Sequence, residues 1–314
     1  MDRGVGSATA VRAANLVKNY GPVRALNGLD LDIPAGQFFG LLGPNGSGKT
    51  TTIHILSTLI RANSGQAFVA GYDVLKNPVD VRASIGLVFQ ESALDRTLSV
   101  RENLRFAGML YNLRQQVIDA RSAELLEMFD LADKQDRPVG ALSGGMRRAL
   151  DIIRGVIHHP SILFLDEPTI GLDLPNRRKI WRFIERLRTR TGMTVLLTTH
   201  YLEEADACDQ VAFINSGRLI RQGAPDRLVS SLGAHIVEID GPDLAALDSQ
   251  LRSRLGPCLK DGNTASFCLA SDDVTPLIRL QSELGAQISA LRWRRPNLND
   301  VFLWVNAGAE PRAH

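Results

Sequence analysis

The stretch GPNGSGKT, Gly43 to Thr50, fits the pattern G-x-x-x-x-G-K-[ST], and its residue types suit one task, the cradling of a phosphate chain. Gly43, Gly46 and Gly48 let the backbone curl until successive N–H groups point into one concavity, with Pro44, Asn45 and Ser47 filling the loop. Lys49 would reach the β- and γ-phosphates, and the Thr50 hydroxyl would hold Mg²⁺. Thr51 follows at the helix start, where the dipole favours an anion.

Two strand ends supply further groups. In ILFLDEP, Ile162 to Leu165 bury a strand and bring Asp166 to its carboxyl end, where α/β sheets hold their ligands. A carboxylate there can hold Mg²⁺ directly or through water. Pro168 biases Glu167 towards an extended backbone, so the strand is expected to continue through it. Adjacent strand residues face opposite ways. One of the pair Asp166 and Glu167 can then serve the metal while the other orients or deprotonates a water. TVLLTTH carries His200 to another strand end, where it can sense a γ-phosphate or join a proton network. Gln90, closing IGLVFQ, is a neutral group able to bind metal or water. The remaining histidines (His54, His158, His159, His235 and His314) have no comparable setting and read as structural or surface.

A third cluster, ALSGGMRRALD from Ala141 to Asp151, sets two glycines and two arginines at a helix start. Helix N-termini disfavour cations, so Arg147 and Arg148 require an explanation.

The elements that must position these groups are legible as a pattern. To about residue 229, short apolar runs (QFFGLLG, SILFLDE, TVLLTTH) alternate with amphipathic helical stretches, as in an α/β domain. Residues from about 91 to 160 are mainly helical, an insertion carried by the α/β core. After residue 229 the order AHIVEID, DLAALDSQLRSRLG, CLKDG, TASFCLA, VTPLIRLQSELGA and ISALRWRR reads βαββαβ, the split-βαβ order of ferredoxin-like domains. The expected organisation is a nucleotide-binding domain over 11–229, a small α+β accessory domain over 230–305 and a tail over 306–314.

Composition narrows the classes. A net charge of +2 over 314 residues argues against a binder of nucleic acid that works by bulk charge. The apolar runs fall far short of the roughly 20 residues that span a bilayer, and the first twenty residues have no signal-peptide core. Cys208, Cys258 and Cys268 have neither disulfide nor zinc spacing. The chain is expected to be soluble and cytoplasmic.

With these motifs in order, residues 11–228 resemble the ATPase subunit of ATP-binding cassette (ABC) transporters, and LSGGM, Leu142 to Met146, looks like that family's signature motif. The resemblance implies a phosphate-loop ATPase core with a helical subdomain, using ATP and Mg²⁺. It implies a head-to-tail homodimer in which Ser143, Gly144 and Gly145 face the partner's γ-phosphate. An anion opposite would then explain the arginines. It further implies that Tyr20 stacks on adenine, that Gln90 contacts Mg²⁺ and relays closure, and that Asp173 crosses the interface. Glu167 matches the catalytic glutamate and His200 the switch histidine. Met146 replaces the commoner glutamine, as in exporter-type members, and Ala149 stands where a third basic residue is frequent.

The ending RRPNLNDVFLWV resembles the P-[ST]-L-[DE]-D-V-F-L tail of daunorubicin-resistance-type exporter ATPases, departing from it at Asn297 and Asn299. The implied function is an exporter motor for drugs or other amphipathic compounds. It would lie on the cytoplasmic face of the membrane and drive a separate multi-span permease, with no nucleic-acid partner. Two rivals stay open, a soluble ABC ATPase acting on ribosomes or DNA and an ATPase regulated by a ligand of the C-terminal domain.

Overall fold

The computed structural model describes residues 9–308, so most of the expected tail, 309–314 with His314, lies outside the described residues. The described chain falls into two compact units that divide after His200, with Ile214–Leu219 returning to the first.

In the first unit, β1 (Thr9–Tyr20) and β2 (Val23–Pro34) precede β3 (Phe38–Leu42) and α1 (Lys49–Leu56). Next come β4 (Ser64–Val69), β5 (Tyr72–Asp73), α2 (Pro78–Ser84) and β6 (Ile85–Val88). Three helices follow, α3 (Val100–Leu110), α4 (Gln115–Glu127) and α5 (Gly144–Val156). The unit then continues with β7 (Ile162–Asp166), α6 (Leu174–Thr191) and β8 (Thr194–Thr199). Strands β3, β8, β7 and β6 lie side by side in that order, all parallel. Every residue of β3, β7 and β8 is buried. This is the behaviour of continuous apolar runs in a sheet covered on both faces. Register sets Leu42 opposite Thr199 and Asp166 opposite Thr198, so three carboxyl ends come level at one edge.

A second, antiparallel sheet has the order β2-β1-β4-β5. The apolar runs give no sign of it, because register shifts such as that between Ala13 and Leu16 interrupt the alternation of β1. The helical insertion begins at a capping box. Ser99 Oγ accepts from the Glu102 amide, and Glu102 Oε2 accepts from the Ser99 amide at 2.7 Å. Val100, Leu104 and Ala107 form the buried stripe of α3, while Phe106, Met109 and Leu110 on its other side stay exposed.

The second unit comprises α7 (Leu202–Ala205), the start of β9 (Gln210–Asn215) and the end of β10 (Arg218–Gly223), α8 (Pro225–Ser230), β11 (His235–Asp240) and α9 (Leu244–Leu255). It continues with β12 (Cys258–Asp261), β13 (Thr264–Leu269), α10 (Thr275–Leu284), β14 (Ala290–Arg294) and α11 (Leu298–Asn306). The last four strands form an antiparallel sheet in the order β12-β13-β11-β14, the order of a split βαβ unit. Val237, Ile239 and Phe267 on one face pack with Leu247 and Leu251 of α9 and Leu277 and Leu280 of α10. Helix α11 packs on α7 and α8. This draws residues 201–213 and 220–229 into the second unit, although the sequence changes style only at residue 230.

Candidate functional site

The loop between β3 and α1 curls as its glycines require. Gly46 and Gly48 have φ of +79° and +111°, a region that side-chain-bearing residues rarely adopt. A Cβ on Gly43 would fall 2.2 Å from the Ile214 carbonyl oxygen, so the strand end approaches the backbone at 214 too closely for any side chain. Pro44, Asn45, Gly46 and Thr50 are exposed and Thr51 is half-buried, whereas Ser47 and Lys49 are buried. Lys49 Nζ donates to the carbonyls of Gly43 at 2.8 Å and Pro44 at 3.2 Å. Burial pulls its ammonium below the usual lysine range, and the negative charges of Glu167 and Asp166 push it back up. The Ser47 hydroxyl is buried without a hydrogen-bond partner.

Asp166, 3% exposed, ends β7. Its Oδ1 accepts from Thr50 Oγ1 at 3.2 Å and from Thr198 Oγ1 on the neighbouring strand. Glu167 departs from the sequence expectation. The strand stops at Asp166, and Glu167 turns into the left-handed region at φ +47°. Pro168 keeps its predecessor out of the right-handed helical region, and the neighbouring strand then decides between what remains. The Glu167 amide is drawn to Thr198, donating to its carbonyl and its hydroxyl oxygen at 3.1 Å each. Strain of this kind costs about 1–3 kcal/mol and persists only where surrounding bonds hold it. It turns the carboxylate towards His200, whose Nδ1 lies 3.2 Å from Glu167 Oε1.

A second cluster lies at two helix starts. Ser143 caps α5, accepting from the Met146 amide at 3.3 Å. Asp173 caps α6, accepting from the Asn176 amide at 2.9 Å. A Cβ on Gly145 would sit 2.7 Å from the Asn176 side chain, whereas Gly144 faces open space. The arginines are settled within the chain. Arg147 bonds the Leu142 carbonyl, and Arg148 turns inward, 8% exposed, to the carbonyls of Phe89, Asp166, Glu167 and Pro168. Backbone dipoles therefore accommodate the charge that the sequence assigned to an anion opposite.

The structure thus brings Lys49, Thr50, Asp166, Glu167 and His200 together around Thr198, and groups Ser143, Gly144, Gly145 and Asp173 separately. Gln90 is exposed just beyond β6. Tyr20 ends β1, 47% exposed, with Lys18 Nζ 5.2 Å from its ring centroid. Thr198 escaped the sequence reading, and Arg148 was noticed but assigned to an anion opposite rather than to backbone carbonyls. Thr198 stands near the end of β8, two residues before His200, a closeness in sequence that was available as a signal. Among the described residues, no group of three His, Cys, Asp or Glu is placed to hold a metal, and no helix is long and apolar enough to cross a membrane.

Comparisons with known proteins identify relatives of the chain. Residues 26–170 match the family described as ABC transporter. The chain is 43% identical over 303 residues to a daunorubicin resistance ATP-binding protein of Streptomyces coeruleorubidus, covering 94% of each chain. It is 40% identical over 307 residues to the Nod factor export ATP-binding protein I of Ralstonia nicotianae, covering 96% of this chain and 94% of that one. Among solved structures, it resembles a dimeric ATP-binding cassette in a post-hydrolysis state bound to ADP and Pi. That match has a TM-score of 0.63 and 26% identity, over 68% of this chain and 98% of the other.

Proposed function

Because the chain belongs to the ABC transporter ATPase family, we propose that it hydrolyses ATP as the motor subunit of an exporter, paired with a second copy of itself and with a separate membrane permease. The observation that carries this reading is the ring of groups at the level ends of β7 and β8. There Thr198 holds Asp166 and the Glu167 backbone, and His200 holds the Glu167 carboxylate beside the phosphate loop.

The residues suit the nucleotide and its metal. Thr50 Oγ1 and Asp166 Oδ1 are hard oxygens 3.2 Å apart, the donor chemistry Mg²⁺ prefers. The buried, unpartnered Ser47 hydroxyl and the curled backbone around it supply donors for phosphate oxygens. Thr50, Asp166 and Gln90 would hold Mg²⁺, which would supply positive charge against the phosphate oxygens. Lys49 adds a cation to the same oxygens. Glu167 orients a water for in-line attack on the γ-phosphorus and takes its proton, and ADP leaves on the opposite side. His200 fixes the carboxylate that does so. Tyr20, exposed at the end of β1, offers its ring to the adenine.

Ser143, Gly144 and Gly145 present a capped helix N-terminus, open at Gly144, to the nucleotide held by the second copy. Asp173 lies beside them, at the start of α6. The exposed apolar residues Phe106, Met109 and Leu110 of α3 offer the permease a docking face, with the subunit on the cytoplasmic side of the membrane in this reading. Relatives named for daunorubicin and doxorubicin resistance and for Nod factor export support export, of amphipathic compounds, over import.

The test is to purify Glu167→Gln with ATP-Mg²⁺ in mild detergent and identify what accompanies it in stoichiometric amount. A second copy and a multi-span membrane protein support the reading. Ribosomes, nucleic acid or a soluble enzyme would move the chain to a non-transport role.

A further inference from the structure

Arg148 and Asp151 stand three residues apart on one face of α5, and both are buried, at 8% and 2% exposure. Their partners bracket Gln90. Arg148 Nη1 donates to the Phe89 carbonyl, one residue before it. The Asp151 carboxylate accepts from the Ser92 hydroxyl and the Ala93 amide, two and three residues after it. Arg148 also reaches across to the strand end, its Nη2 donating to the carbonyls of Asp166 at 3.3 Å and Glu167 at 3.1 Å and its Nε to that of Pro168. One planar guanidinium thus ties three segments together: the helix that begins at Ser143, the segment of Gln90, and the turn that carries Glu167.

Stability alone does not call for such a device. Buried ionic groups are often no better than well-packed apolar ones. Here one oxygen of Asp151 is left without a hydrogen bond. What these two buried polar groups add is rigidity with direction, because the Arg148 fork fixes where each carbonyl lies relative to α5. The strained turn at Glu167 needs such fixing, since its φ of +47° is held only by the bonds around it.

We propose that Arg148 and Asp151 are positioning residues that make α5 move as one piece with its own chain's Gln90 segment and Glu167, so that a nucleotide meeting Ser143–Gly145 from the second copy sets the catalytic carboxylate of the chain it meets. The inference rests on the ATPase reading above. Each site then hydrolyses efficiently only when the other is occupied, which appears as positive cooperativity in ATP.

The experiment compares the wild-type chain with Arg148→Lys, which keeps the charge and the stem but loses the planar fork. Read together are kcat, the Hill coefficient for ATP, affinity for a fluorescent ATP analogue, and ATP-driven dimerisation in the Glu167→Gln background. Expected are a kcat lower by about tenfold to a hundredfold, the penalty of misplacement on the ångström scale, and a Hill coefficient falling towards unity. Nucleotide affinity and dimerisation should survive. Unchanged kcat and cooperativity overturn the proposal. So does a fall in kcat that merely follows lost affinity or a lowered melting temperature while cooperativity persists. Should Arg148→Lys fail to fold, Asp151→Asn tests the same link from the Ser92 side, and wild-type kinetics there would equally overturn it. A wild-type chain without ATPase activity would remove the reading beneath both.

Discussion

Nδ1 of His200 lies 3.2 Å from Oε1 of Glu167, so the residue after one strand holds the carboxylate that follows its neighbour. Glu167→Gln should lower phosphate release by about 10²- to 10⁴-fold, the range for a positioned general base. His200→Ala, which frees the carboxylate without removing it, should lower it less. Both should bind ATP as the wild type does in a fluorescence titration. A His200→Ala enzyme as active as wild type would remove the histidine from the mechanism.

Leu110 is 64% exposed on α3, beside Phe106 and Met109. Leu110→Glu should change stability by less than about 0.5 kcal/mol, as surface substitutions do. Basal ATPase should be unchanged, while co-sedimentation with membranes that contain the permease is lost. Undiminished co-sedimentation would place docking elsewhere.

His158 stacks on Tyr111 with ring centroids 3.6 Å apart, and its Nε2 lies 2.9 Å from the Ile85 carbonyl oxygen. Burial is the largest cause holding its imidazole neutral, with the pKa pushed down to about 4 from 6.5. The unfolded chain therefore takes up a proton near pH 6.5, while the folded chain resists until about pH 4. Stability from this group is complete above pH 6.5 and is lost as pH falls towards 4, by no more than about 3 kcal/mol. His158→Phe keeps the stack, forfeits about 1 kcal/mol at neutral pH with the hydrogen bond, and should melt with a flatter pH dependence between 7 and 4.5. Parallel melting curves for the two proteins would rule the histidine out as the acid-sensitive group.

Asn297 caps α11, accepting from the Asn299 and Asp300 amides, while Asp300 returns a bond to the Asn297 amide at 2.8 Å and holds Arg294 at 2.7 and 2.8 Å. Asn297→Ala should destabilise by about 1 kcal/mol and Asn297→Ser by far less, since both Asn and Ser cap well. Urea unfolding of the three proteins checks the order. Equal losses would mean that the side-chain cap contributes nothing.

The tail shows how the sequence informed and where it misled. Against P-[ST]-L-[DE]-D-V-F-L, Asn297 looked like a departure. It does the work of the usual Ser or Thr, because an N-cap asks only for an oxygen at the right height. The strand–loop–helix around Lys49, the buried strand before Asp166 and the helical insertion were all legible, since each rests on a local pattern of apolar residues, glycines or capping groups. The backbone of Glu167 was not. Pro168 narrows its options locally, but the choice falls to Thr198, thirty-one residues away on another strand. Arg148 was misread for the same reason, its partners lying at Phe89 and in the turn after β7.

The hold of Thr198 on Glu167 bears on where the chain tolerates insertions. With Asp166 opposite Thr198, the height of the reacting carboxylate above the sheet is measured from β8 more than from its own strand. One residue added within β8 would move Thr198 out of line and swap its two faces. The same residue added in the exposed Thr191–Gly192 turn after α6 would leave that alignment to be restored by the loop. In a library of single-residue insertions, the hole in the activity map should therefore fall on β8.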